Sequence, residues 1–160
     1  MLPLLIVLLV TVLIFFYYKR APVNSEKYDY DCFLLTLPES TRRQQKFFRS
    51  HNKDIPIEVV YGENTKNVKN ARKYEHMIDG EYFEKAIEMH YNPSVKRPDI
   101  TYFNLGAIGA YLGHINIMKK CIDSDVKYAL IFEDNVIVKR NKMYDEVQKV
   151  IDTLGDNFEM

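Results

Sequence analysis

The chain has 160 residues, 47% of them hydrophobic and 28% charged, enough for one globular domain with its own core and too few for a second full domain. Lysine plus arginine and aspartate plus glutamate balance at 22 each, so the basic field that nucleic-acid binding needs is missing. The 12 Tyr and 9 Phe provide packing or sugar-stacking surface and do not choose between functions.

Residues 2–18 carry no charge, end at Lys19 and Arg20, and place Tyr17 and Tyr18 where an interfacial aromatic belt belongs. The segment is at the short end of a membrane-spanning helix and reads as a transmembrane anchor. A cleaved signal peptide fits less well, because no Lys or Arg precedes the apolar run and Pro22 directly follows Ala21. The expectation is a single-pass protein of an endomembrane (ER or Golgi) or a host-cell membrane. The flanking basic residues place the globular part in the cytosol by the positive-inside rule, and a lumenal orientation stays open. Asn92-Pro93-Ser94 carries the proline that forbids glycosylation, which agrees with the cytosolic side.

Residues 19–29 are a polar linker, and residues 30–160 form the folded domain. A first strand is expected over 30–37, closed by Pro38, which has no N–H for a ladder. Ser40 or Thr41 then caps a helix with an apolar face at Phe47 and Phe48, ending at His51-Asn52. A second strand spans 56–61, with β-branched Ile57, Val59 and Val60, and Gly62 permits the turn after it. Residues 63–100 have the weakest pattern, with helical spacing only over 81–90 and loops at Asn92-Pro93 and Arg97-Pro98.

A longer helix is expected over 104–122, capped by Asn104, with Leu105, Ile108, Leu112, Ile115 and Ile122 as its apolar stripe. Gly106, Gly109 and Gly113 lie inside it, each costing about 1 kcal/mol relative to alanine, so close packing or a close ligand must compensate. The run from Lys127 to Phe132 reads as a strand buried on both faces, and 142–154 as a last amphipathic helix stopped by Gly155. Cys32 and Cys121 form no disulfide framework and are expected in the core. Strands alternating with helices define an α/β fold with a mostly parallel sheet.

The chemistry concentrates where that last strand ends. In open α/β sheets ligands collect at the carboxyl ends of the strands, and Glu133, Asp134 and Asn135 stand there. Carboxylates in that position suit Mg²⁺ or Mn²⁺, which link side-chain oxygens to substrate phosphates. Without companions, the same triplet is a strand-ending turn.

Two further segments supply companions. Cys32-Phe-Leu-Leu-Thr-Leu-Pro-Glu-Ser-Thr-Arg-Arg43, Gly106-Ala-Ile-Gly-Ala-Tyr-Leu-Gly-His114 and Ala129-Leu-Ile-Phe-Glu-Asp-Asn135 occur in the order of glycosyltransferase family 25, the lipooligosaccharide and procollagen galactosyltransferase family, which the chain resembles. The resemblance implies a GT-A-like α/β/α sandwich using Mn²⁺ or Mg²⁺. It implies a UDP-sugar donor, of galactose or a related hexose, and a hydroxyl acceptor on a glycan or glycoprotein. By the same resemblance Arg42 or Arg43, Thr36, Gly106 and His114 would serve the donor, Glu133 and Asp134 the catalysis, and Asp134 and Asn135 the metal.

Family members normally continue through a second half that completes the sheet, so the resemblance also implies an incomplete C-terminal half. Asn135 stands where the family pattern has a third acidic residue, and Gly113, Ala107 and Ala110 also depart from it. A catalytically inactive, membrane-tethered binding or interaction domain is therefore the alternative to a hexosyltransferase. No general base is assigned by these residues.

Overall fold

The computed structural model describes residues 27–92, 103–124, 126–139 and 142–155. Its centre is β1 (Asp31–Thr36), which pairs in parallel with β2 (Glu58–Tyr61) on one side and β3 (Ala129–Glu133) on the other, giving the order β2-β1-β3. Leu34 faces Val59 and Phe132 across the two ladders, and Leu35 faces Val60 and Glu133. The expected α/β fold with a parallel sheet is present. The membrane anchor expected over 2–18 lies outside the described residues, and no described helix is long and apolar enough to cross a membrane.

The helices are α1 (Thr41–Ser50), the short α2 (Val68–Ala71) running into a 3₁₀ helix (Arg72–Met77), α3 (Gly80–Tyr91), α4 (Leu105–Asp123) and α5 (Lys142–Leu154). Alternating side chains of β1 face opposite layers. Cys32 and Leu34 join Phe47 of α1, Phe132 of β3 and Tyr144 of α5, whereas Phe33 and Leu35 join Val60 and Ile117 of α4. Fully burying an aromatic such as Phe47 contributes about 1.5–3 kcal/mol, so the first layer is a main source of stability. A satellite core of Ala71, Phe83, Ala86, Ile87, Leu105, Ile108 and Leu112 fastens α2 and α3 to α4.

Polar groups inside the first layer are matched. The Ile55 carbonyl only accepts, so His51 Nε2 donates to it at 2.9 Å, and the Tyr144 hydroxyl donates to Nδ1 at 2.6 Å. Burial pushes the Tyr144 phenol up to about 12, and the Cys32 thiol likewise to about 12 with Asp31 adding to the effect, so Cys32 is a packing residue and not a nucleophile. On the opposite face of β1, with Phe33 and Leu35, the buried Oδ1 of Asp31 has no hydrogen-bond partner among the described residues.

Four expectations change. The strand buried on both faces is β1, not β3, where Phe132 alone is buried and Ala129 is exposed; β3 is an edge strand, paired only with β1 among the described residues. Ile122 leaves the α4 stripe and is 79% exposed, while Ile117 takes the fully buried place, because five residues at about 100° each put Ile122 on the far side of the helix from Ile117. Phe48 is exposed beside buried Phe47, since adjacent helical residues point about 100° apart. Ser40 does precede α1 as its cap residue, but its side chain makes no capping bond.

The glycines of α4 have a physical account. A Cβ on Gly113 would strike the Leu35 side chain, and one on Gly109 would strike the Glu63 carbonyl oxygen and the Thr65 hydroxyl. Both are places where the helix must lie against β1 or against the loop after β2. Gly155 closes α5 with φ +53°, the left-handed conformation that favours glycine.

Candidate functional site

Each strand of the sheet ends at one cavity of about 180 Å³. From β1 come Leu35, Thr36 and Leu37; from the loop after β2 come Gly62 to Lys66; from β3 and its turn come Glu133 and Asp134. Gly106, Gly109 and Ala110 of α4 and Arg43 of α1 complete the wall. Strand order reverses across β1, since the chain runs to β2 on one side and crosses to β3 on the other, and such a switch point is where open α/β sheets take ligands.

Backbone bonds fix the three ends together. Gly62 N–H donates to the Thr36 carbonyl at 2.8 Å, and Asp134 N–H donates to the Leu35 carbonyl at 3.2 Å. The buried Thr65 hydroxyl donates to the Leu105 carbonyl, tying the loop after β2 to the start of α4. Asn104 Oδ1 accepts from the Ala107 N–H at 3.0 Å, the cap expected from the sequence.

Asp134 is the hub. It is 8% exposed, its Oδ2 accepts from the Thr36 hydroxyl at 2.6 Å, and its Oδ1 lies 3.3 Å from Arg43 Nη1. Arg43 Nη2 donates to Ser40 Oγ at 2.6 Å, and Gln44 Nε2 donates to Thr36 Oγ1 and to the Leu37 carbonyl. A buried carboxylate held by a charged and a neutral donor is fixed in position and orients the guanidinium along the cavity wall.

The remaining predicted residues take distinct places. Glu133 lines the cavity with half of its side chain exposed, and its Oε1 lies 3.7 Å from His114 Nε2. His114, like Arg42 and Asn135, does not line the cavity, and Arg42 and Asn135 are exposed. Of the arginine pair, geometry therefore selects Arg43. Gly106 lines the cavity at the first turn of α4, where a Cβ would meet only the capping Asn104 Oδ1 at 3.2 Å.

Sequence reasoning passed over Glu63, Asn64, Thr65 and Lys66. The available signal was their position directly after a strand, at the same end of the sheet as Glu133. Burial raises the Tyr74 phenol's pKa, and the nearby Glu63 carboxylate adds to the effect. At the rim, hydrogen bonds from its own backbone and from Asn64 hold the Glu39 carboxyl below its usual range, and the charges of Lys66 and Arg43 act in the same direction.

Hard divalent cations take about six oxygen ligands and use free carboxylate oxygens for the protein's share. Both Asp134 oxygens are engaged, Asn135 lies off the cavity, and the carboxylates left at its wall, Glu63 and Glu133, are exposed. Among the described residues no group of three His, Cys, Asp or Glu could hold a metal ion. These residues do not fit a protein-built cation cage, and the positive charge beside Asp134 is Arg43.

No curated protein matches the chain. The family described as Glycosyltransferase family 25 (LPS biosynthesis protein) matches residues 30–159, from the start of β1 to beyond α5. The match takes in every residue that lines the cavity. A family defined by sugar transfer thus meets a sheet-end cavity with a fixed cation and a buried carboxylate, and the chain belongs to glycosyltransferase family 25.

Proposed function

We propose that this domain transfers a hexose, galactose or a close relative, from a UDP-sugar to a hydroxyl group of a glycan or glycoprotein, in a GT-A-like arrangement tethered to a membrane through residues 2–18. The observation that supports it most is the Thr36–Asp134–Arg43 cluster at the switch point of a family 25 chain. In this reading Arg43 faces the donor diphosphate and stabilises the charge that builds on it as the glycosidic bond breaks. Asp134 positions Arg43. Glu133, half exposed and beside His114, is the carboxylate available to take the proton of the acceptor hydroxyl.

The test is release of UDP from UDP-galactose and UDP-glucose by the purified chain, with and without a sugar acceptor and with Mn²⁺ supplied. Turnover that disappears in Glu133→Gln and falls in Arg43→Ala is the expected result. Folded protein that neither turns over nor binds UDP would sink the proposal. A second reading, donor binding without catalysis, is favoured by one observation: Asn135 is neutral and exposed where the family pattern is acidic. UDP binding without turnover would select it.

A further inference from the structure

We infer that this chain holds a nucleoside diphosphate with Arg43, Lys66 and the first turn of α4, and needs no divalent cation to do so. The inference rests on the donor reading above and specifies how its leaving group is bound. Arg43 stands 3.3 Å from Asp134 Oδ1 and the Thr36 hydroxyl takes Oδ2, so both oxygens of the cavity's buried carboxylate already have partners where a bridging cation would need one. A metal ion placed there would meet the guanidinium as a like charge at short range.

Arg43 is also equipped for the task. A guanidinium carries five N–H donors, and its contacts to Asp134 and Ser40 leave others for an incoming phosphate. Half of its side chain is exposed, so the anion can reach them.

Two independent sources of positive potential face the same space. Lys66 lines the cavity from the loop after β2, and its charge and that of Arg43 both bear on Glu39 at the rim. The 19-residue α4 presents its N-terminal turn there through Gly106, which has no side chain to hold an anion off the helix end. Asp134 has both oxygens engaged and Asn135 is neutral, so Glu63 and Glu133 are the exposed carboxylates left at the wall, and among the described residues no group of three such ligands could hold a cation.

Calorimetric titration of the full chain with UDP, in EDTA and separately in Mn²⁺, tests the inference. The expected Kd values agree within about twofold between the two buffers, Arg43→Ala raises Kd about tenfold or more, and Arg43→Lys is intermediate. Because Arg43→Ala strips the cation from a buried carboxylate, Lys66→Ala provides a second arm at an exposed residue. It is expected to weaken binding several-fold, about threefold or more, and to flatten its salt dependence. Binding seen only with Mn²⁺, or binding in EDTA that ignores both substitutions, would overturn the inference and leave the donor reading standing. No binding in either buffer would overturn both.

Discussion

The Thr36 hydroxyl donates to Asp134 Oδ2 at 2.6 Å, joining the end of the central strand to the turn after the edge strand. Both residues are buried, so this contact is a structural clamp as well as the support for Arg43. Thr36→Val keeps the shape and removes the donor. Leaving a buried carboxylate oxygen short of a partner costs about 1–3 kcal/mol, so urea unfolding should show a loss in that range and UDP binding should weaken in parallel. Thr36→Ser, which keeps the hydroxyl, should retain binding; equal loss in both variants would refute the role given to the hydroxyl.

Gly109 and Gly106 should separate stability from binding. Gly109→Ala drives a methyl into the Glu63 carbonyl and the Thr65 hydroxyl, and overpacking of this kind costs about 1–3 kcal/mol. Gly106→Ala meets only the capping Asn104 side chain, so stability should move by no more than about 1 kcal/mol, in which helix propensity is a gain. UDP affinity should nevertheless fall, because the methyl enters the cavity. Thermal melts and calorimetry on the two variants decide the matter.

Asn135→Asp would restore the family's acidic pattern. With Arg43 as the cation, the added charge repels the diphosphate, and UDP affinity in EDTA should drop by about twofold to fivefold, a small effect because the residue is exposed. A gain in metal-free affinity would contradict the arrangement.

Asp31 predicts a pH dependence. Burial, with the Glu58 charge adding, raises its carboxyl pKa above the ordinary value, and its Oδ1 is unpartnered among the described residues. The folded state therefore binds this proton more tightly than the unfolded chain does. The associated stability is complete below the unfolded carboxyl pKa and is lost as pH rises through the folded one. Asp31→Asn should stabilise the protein by about 1 kcal/mol at neutral pH and make no difference in acid. Unfolding curves at pH 3 and pH 7 check the sign.

The elements with a clear period were legible from the sequence. The Asn104 cap, the α4 start and the Gly155 stop follow from local chemistry, and all three occur where local chemistry places them. Strand 3 was misread because Ala129-Leu-Ile-Phe132 has the composition of a central strand, and composition cannot tell whether a neighbour lies on the far side. The 3₁₀ helix over Arg72–Met77 has no apolar period to announce it; it is held by packing of Tyr74 and its neighbours against the satellite core. In the site, Asp134 was visible as a carboxylate at a strand end. Its engagement by Thr36, 98 positions away in sequence, was not, because sheet register supplies that contact.

The edge position of β3 ties folding to the site in one further way. Among the described residues a single ladder, to β1, holds the strand that delivers Glu133 and Asp134. Strands paired on one side open locally more readily than the global fold does. Any such opening removes the Asp134 clamp and frees Arg43 in the same event. Amide exchange along Ala129–Glu133 should therefore slow when a nucleotide is bound, making that strand a reporter of occupancy that needs no acceptor and no turnover.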